Sequence, residues 1–402
     1  MIILCNTFSV YYTNIIKFIK DELLETNLII MENIEPSIQD INKQKPQKKK
    51  KTVLREWLDA IVFAVIVATV VRWALMSAYT IPTPSMEGTQ MVGDFLFVSK
   101  VAYGARTPRT ILRIPLTDNK VWGTEIPAYL SWLQLPTFRL PGYASISKND
   151  IVVFNYPVED APIDMKTHYI KRCTGTSGDK IQVKQSQLFV NDKEQKNPAK
   201  IQHEYELRAT SHINERHFEP FNLNMNEMKS IALGKDVVYY NHMTQETADN
   251  MLKTGLFKSI KINAELKDST SLDVLGKGFF KWNKDNFGPV IVPKKGMTID
   301  ITPESIAQYS YAITHLDWNK KVEIKGNELY IDGKKQDKYT FKQNYFFMMG
   351  DNRHNSADSR FWGFVPEDHV VGRASFTWMS LDYNKSWFGG KIRWDRIFRG
   401  IY

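Results

Sequence analysis

Cysteine is nearly absent. Cys5 and Cys173 are the only two in 402 residues, so no disulfide framework can brace the chain. Long apolar runs are equally scarce, with one long, mainly apolar stretch at residues 57–78. Metal-ligand patterns are missing too: His212, Glu215 and His217 fall close together, but spacing alone is a weak ligand signal, so neither metal nor cofactor is expected. Seven cations and no acid lie between Lys43 and Arg55, and without them the net charge of +9 drops to about +2. The remaining surface therefore does not call for nucleic acid as a partner. What the chain does have is globular: 43% hydrophobic and 24% charged residues, with 10 Trp, 18 Tyr and 22 Phe. That composition excludes wholesale disorder and leaves room for two or three units.

The N-terminal residues lack a basic start and a small-residue cleavage site, so no signal-peptide pattern emerges. Met31 is a second candidate start, and residues 32–52 read as a polar, basic tail that ends in Lys48, Lys49, Lys50 and Lys51. The run WLDAIVFAVIVATVVRWALMSA follows at 57–78. At about 1.5 Å per residue it spans roughly 33 Å as a helix, enough for a bilayer core. Asp59 lies near one end, and Arg72 is close enough to the other to snorkel outward. A cationic cluster precedes the run and none follows directly, so the tail is expected in the cytoplasm and the rest outside it.

Beyond residue 78 the texture is β. Phe95 to Val98, Ile151 to Phe154 and Lys180 to Val183 are short β-branched or aromatic runs bounded by turn formers. DKIQVKQSQLFVNDKEQ (179–195) is echoed by KVEIKGNELYIDGKKQ (321–336). Each predicts strand, turn, strand and a tight Asn-Asp or Asp-Gly turn. Between them lie roughly 125 residues with mixed signals, including a helical stretch at 244–254, read as an insertion from which the chain returns to the main sheet near Phe341.

Three blocks carry chemistry. The first, just past the apolar run, is Ile81-Pro82-Thr83-Pro84-Ser85-Met86-Glu87-Gly88. Its prolines hold the backbone extended where Ser85 emerges. The second is His168-Tyr169-Ile170-Lys171-Arg172, a strand on which Lys171 faces away from Ile170. The third, Gly350-Asp351-Asn352-Arg353-His354-Asn355-Ser356-Ala357-Asp358-Ser359-Arg360, follows the apolar Tyr345 to Met349 and reads as a hydrogen-bonded loop below a strand.

In this order, after one apolar span, the blocks resemble the bacterial type I signal peptidases. The resemblance covers most of residues 57–183 and 341–375. It departs after Glu87, where Gly88-Thr89-Gln90 replaces the family's common Pro-Thr-Leu. It implies a mainly β fold: an antiparallel catalytic domain (79–183 and 341–402), an inserted α+β cap domain (184–340), a transmembrane helix (57–78) and a cytoplasmic tail (1–56). It also implies a Ser-Lys dyad with Ser85 as nucleophile and Lys171 as general base. Ser356 matches the serine that holds the lysine amine. Thr83 matches the hydroxyl that joins the Ser85 N–H in an oxyanion hole. Asp358 and Arg360 match a supporting ion pair, and Asp351 with Arg353 is expected to be scaffold of the same kind.

The implied substrate is the signal-peptide region of exported preproteins, which would add as a strand between edges at 79–85 and 168–171. Tyr79 and His168 lie on those edges. Ile81, Met86, Tyr169 and Ile170 would line shallow pockets for small residues. The lipid bilayer is the second implied partner, and no oligomer is required. The implied place is the bacterial inner membrane, with the catalytic part on the extracytoplasmic side. The apolar stretch 121–143, with Trp122, Tyr129, Trp132, Leu133, Leu135 and Phe138, reads either as core or as a surface that dips into the bilayer.

Competing readings fit less well. A Ser-His-Asp hydrolase needs a histidine by Ser85; His168 and His354 lie near the motifs, but no Gly-x-Ser-x-Gly elbow surrounds the serine. A self-cleaving repressor would carry a DNA-binding domain where the apolar span stands. A membrane-anchored peptide-binding module on an inactive scaffold predicts loss of the serine or the lysine, and both are present. Cys173 reads as a small core residue.

Overall fold

The computed structural model describes residues 52–114, 117, 119–121, 123–221 and 223–401. The basic cluster at 48–51, Cys5, Met31 and Trp122 lie outside them. Among the described residues the chain divides into two units, with the break between Phe63 and Ala64.

Helix α1 (Val53–Ala74) has 22 residues, none buried, and is long and apolar enough to cross a membrane. It starts and stops four residues before the stretch read from hydropathy. The early stop has a tertiary cause: Met76–Thr80 (β1) is taken up as a strand against Asp94–Ser99 (β2). The open carbonyl of Arg72 in the last turn is satisfied by the Ser77 hydroxyl at 2.9 Å and the Lys100 amine at 2.7 Å, a cation at the negative end of the helix dipole.

The main sheet is antiparallel. Besides β1 and β2 it holds Ile151–Asn155 (β3), His168–Gly175 (β4), Tyr345–Met349 (β5), Val365–Pro366 (β6) and Val370–Ser380 (β7), in the spatial order β1-β2-β7-β3-β4-β5-β6. The mainly β class expected from the sequence is the class found. β3 and β5 are buried at every residue, which explains why both read as unbroken apolar runs rather than alternating ones. β1 is an edge strand. Residues 168–171 of β4 pair with β3 on one side only, because β5 joins β4 at residues 172–175. The sheet therefore leaves two strand edges open, and they face one another: the Tyr79 and His168 rings lie 4.8 Å apart.

Residues 180–340 build smaller sheets. The sequence echo is structural: Lys180–Lys184, Gln187–Val190 and Lys193–Glu194 form one meander, and Val322–Lys325, Glu328–Ile331 and Lys334–Gln336 form another. Their tight turns use left-handed residues at the Asn-Asp and Asp-Gly sites, with φ of 53° and 63° at Asn191 and Asp192 and of 50° and 76° at Asp332 and Gly333. The helix read at 244–254 is Gln245–Lys253, and its Thr244 side chain accepts the Thr247 N–H. A second sheet here is built on Gln202–Ala209 and Asp236–Thr244. Ile181, Val183 and Phe287 share one apolar core with Tyr345, Phe347 and Met349 of β5. Cys173 is fully buried in the core beside Phe154 and Met348.

Candidate active site

The serine sits on one 3-10 turn, Pro84–Met86, directly after β1. Thr83 is extended (φ −127°, ψ 151°), Pro84 presets the first turn position, and the Glu87 N–H closes on the Pro84 carbonyl at 2.9 Å. Gly88 follows with φ of +91°. A Cβ there would lie 2.2 Å from the Lys200 carbonyl oxygen, so the departure from the family pattern at this position is one that only glycine fits. Thr89 donates its hydroxyl to Asp351 Oδ2 at 2.6 Å, and Gln90 is buried beside Thr377.

Lys171 comes from β4, opposite Val152 of β3. It is 3% exposed. A 2.8 Å hydrogen bond joins its Nζ to Ser85 Oγ, and Nζ also donates to the Ile170 carbonyl at 2.9 Å. Its Nζ lies 5.3 Å from the centre of the Tyr169 ring. Burial disfavours the ammonium and pulls the lysine pKa down to about 8. The more distant charges of Asp358 and Asp351 oppose that shift without cancelling it. The Thr83 hydroxyl lies 3.5 Å from Ser85 Oγ.

The third block lies directly behind this pair. The Asn352 N–H donates to the Ser85 carbonyl at 3.1 Å. Arg360 forks onto Asp358 with contacts of 2.9 and 2.8 Å, and Asp358 also accepts the Gly350 N–H at 3.1 Å. Burial alone would raise the Asp358 pKa, but Arg360 holds it below the ordinary carboxylate range. A Cβ on Gly350 would meet Ser356 Oγ at 2.2 Å and the Ser85 carbonyl oxygen at 2.5 Å, so this glycine permits the close approach of loop and nucleophile.

Three details differ from expectation. Asp351 pairs with Arg172, at 2.8 and 2.7 Å, and not with Arg353, whose Nε donates to the Gly350 carbonyl. The alternation along β4 could have suggested this, since Arg172 follows Lys171 and faces the opposite side. Ser356 is buried beside Ser85, but its hydroxyl has no partner among the described residues, so Lys171 bonds Ser85 and Ile170 instead. The pocket residues divide between two clusters: Ile81 and Met86 pack with Tyr79 and Ile170. Tyr169 faces the other cluster and stacks on Tyr156 at 4.4 Å. The reason is again period two, because Tyr169 and Ile170 are adjacent on a strand. Tyr156 carried no sequence signal. Among the described residues, no group of three or more His, Cys, Asp or Glu side chains is arranged to hold a metal ion.

A buried lysine on a serine hydroxyl, behind open strand edges, is the architecture of a peptidase. Residues 54–243 and 335–379 match the family described as signal peptidase, peptidase S26, and the chain belongs to that family. Its relatives include the signal peptidase I of Buchnera aphidicola subsp. Acyrthosiphon pisum, 27% identical over 385 residues (95% of this chain, 91% of the relative). That of Haemophilus influenzae is 24% identical over 351 residues (86% and 75%). That of Rickettsia massiliae is 31% identical over 145 residues (36% and 45%). The matched segments hold all three blocks, and residues 244–334 lie outside them.

Proposed function

We propose that this chain is a membrane-anchored serine endopeptidase that removes signal peptides from exported preproteins, with Ser85 as nucleophile and Lys171 as general base. The observation that carries the reading is the 2.8 Å contact between Ser85 Oγ and the Nζ of a buried lysine. A serine hydroxyl needs a base to become a nucleophile. A lysine serves only as neutral amine, which burial favours. In the neutral state Nζ accepts the Ser85 proton as Oγ attacks the scissile carbonyl. It later returns that proton to the leaving amine, and water hydrolyses the acyl-enzyme. The Ser85 N–H and the Thr83 hydroxyl stabilise the oxyanion. Asp358 is paired with Arg360, and its charge opposes the lowering of the Lys171 pKa without cancelling it.

The substrate's cleavage region adds as a strand to the open edges of β1 and β4. Ile170 floors a shallow site that suits small side chains, with the buried Ile81 and Met86 beneath it and His168 and Tyr79 beside it. Residues 184–340 form the inserted cap. The chain is anchored by α1 in the bacterial inner membrane, with its catalytic part on the extracytoplasmic face. Exposed Ile126, Leu130, Trp132, Leu135, Phe138 and Tyr143 fit the reading of the 121–143 stretch as a surface that enters the lipid, since so much bare apolar area is costly in water.

Two assays test these statements. Detergent-solubilised chain should cut a preprotein at its signal-peptide junction, and Lys171→Ala should not. Protease added to intact spheroplasts should digest the region after residue 78 and spare the tail, whereas a protected C-terminal part would reverse the topology.

A further inference from the structure

The loop behind the serine is held from the insertion as well as from the main sheet. Asp351 O accepts the Gln202 N–H at 2.9 Å, and Arg353 N–H donates to Gln202 O at 2.8 Å. Two residues on, the Glu204 N–H donates to Nδ1 of His354 at 2.9 Å. The other ring nitrogen, Nε2, lies 2.6 Å from Asp285 Oδ1, and both side chains are 1% exposed. Asp285 is itself fixed by the Ser186 hydroxyl at 2.6 Å and the Glu265 N–H at 3.0 Å. Residues 202, 204 and 285 all belong to the insertion, and 285 falls in the stretch the family match leaves out.

These contacts define the tautomer. A nitrogen that accepts a backbone N–H carries no proton, so the ring proton sits on Nε2 and is donated to Asp285. The ring is a neutral bridge. The other titratable groups facing it are His203, 5.4 Å away ring to ring, and the neighbouring Arg353. Burial and then the Arg353 charge push His203 down to about 3, so it adds no positive charge. Adding a proton to Nδ1 would set it against the Glu204 N–H.

We infer that His354 is a positioning residue: its neutral ring ties the loop behind Ser85 and Lys171 to the insertion and so holds the serine and lysine in contact. The route is short. His354 lies two residues from Asn352, whose N–H holds the Ser85 carbonyl, and two from Ser356, which packs on Gly350. The cap thereby becomes part of the catalytic scaffold. This inference rests on the serine–lysine reading.

The test uses full-length chain in detergent with a preprotein substrate, and active sites are counted by titration. His354→Ala should lower kcat about 10- to 100-fold, the cost of small misplacements of reacting groups, with KM changed less than about threefold. Its acid limb should move to higher pH, because a loosened loop admits water to Lys171 and weakens the burial that lowers its pKa. His354→Gln, which can donate to Asp285, should recover most of kcat and return the limb. His354→Asn covers the case in which alanine does not fold: it can accept from Glu204 but is too short for Asp285, and should fall about threefold or more with a shifted limb. Wild-type kcat and limb in the alanine or asparagine variant overturns the inference. So does a loss explained wholly by fewer active sites, or a glutamine variant as impaired as alanine. Lys171→Ala runs beside them: if it stays active, the serine–lysine reading fails; if it is dead while His354→Ala is unaffected, only the positioning role falls.

Discussion

Lys171→Ala and Ser85→Ala should each abolish preprotein cleavage, with a loss of kcat on the order of 10⁴-fold or more, and the double variant should be no worse than either single one. The two atoms in contact act as one unit, so removing either leaves only the residual catalysis of binding and oxyanion stabilisation. Both variants should stay folded. Ser85 contributes a small side chain on a turn fixed by proline and by main-chain bonds. Lys171 is a group whose burial costs stability. Its pKa is ordinarily near 10.5 and falls to about 8 in the folded chain. The unfolded chain therefore binds the proton first as pH drops. The cost grows between those two values and is complete below about 8, reaching about 3 kcal/mol. Lys171→Met, of similar volume, should accordingly be inactive and yet more stable than wild type at pH 7 in a denaturant melt. An active Lys171→Ala, or a Lys171→Met less stable than wild type, would contradict this account of the site.

Thr83→Val carries the second large effect. It keeps the shape of the side chain and removes the hydroxyl that lies 3.5 Å from Ser85 Oγ. Loss of one oxyanion donor typically costs about 100- to 1000-fold in kcat. KM should change little, because the bond forms fully only when the carbonyl oxygen gains charge. Thr83→Ser should retain most of the rate. Steady-state kinetics on the three proteins decide it, and a valine variant within a few-fold of wild type would remove Thr83 from the oxyanion hole.

The parts of this molecule that read well from sequence obey local rules. The two meanders at 179–195 and 321–336 carry their own turn chemistry. Gln245–Lys253 carries its own cap, and β3 and β5 are apolar runs buried on both faces. Helix α1 was legible in kind but not in bounds, because its end is set by pairing between β1 and β2, residues far from each other's sequence window. At the site, period two along β4 separates Lys171 from Arg172 and Tyr169 from Ile170, yet the partners across space are not written locally. Asp351 takes Arg172, nearly 180 residues away, rather than the nearby Arg353. His354, one polar residue among many in its loop, gains meaning only from Asp285, 69 residues earlier.

The measurement closest to the central claim is the pH dependence of kcat/KM for the full-length chain. A base that must be neutral, with a pKa near 8, gives an acid limb that bends near pH 8 and then falls about tenfold per pH unit, reaching roughly one per cent of the plateau at pH 6. Replacing Lys171 should erase the limb along with the activity. A rate that stays flat down to about pH 5, where even a strongly buried lysine is charged, would show that Lys171 is not the base.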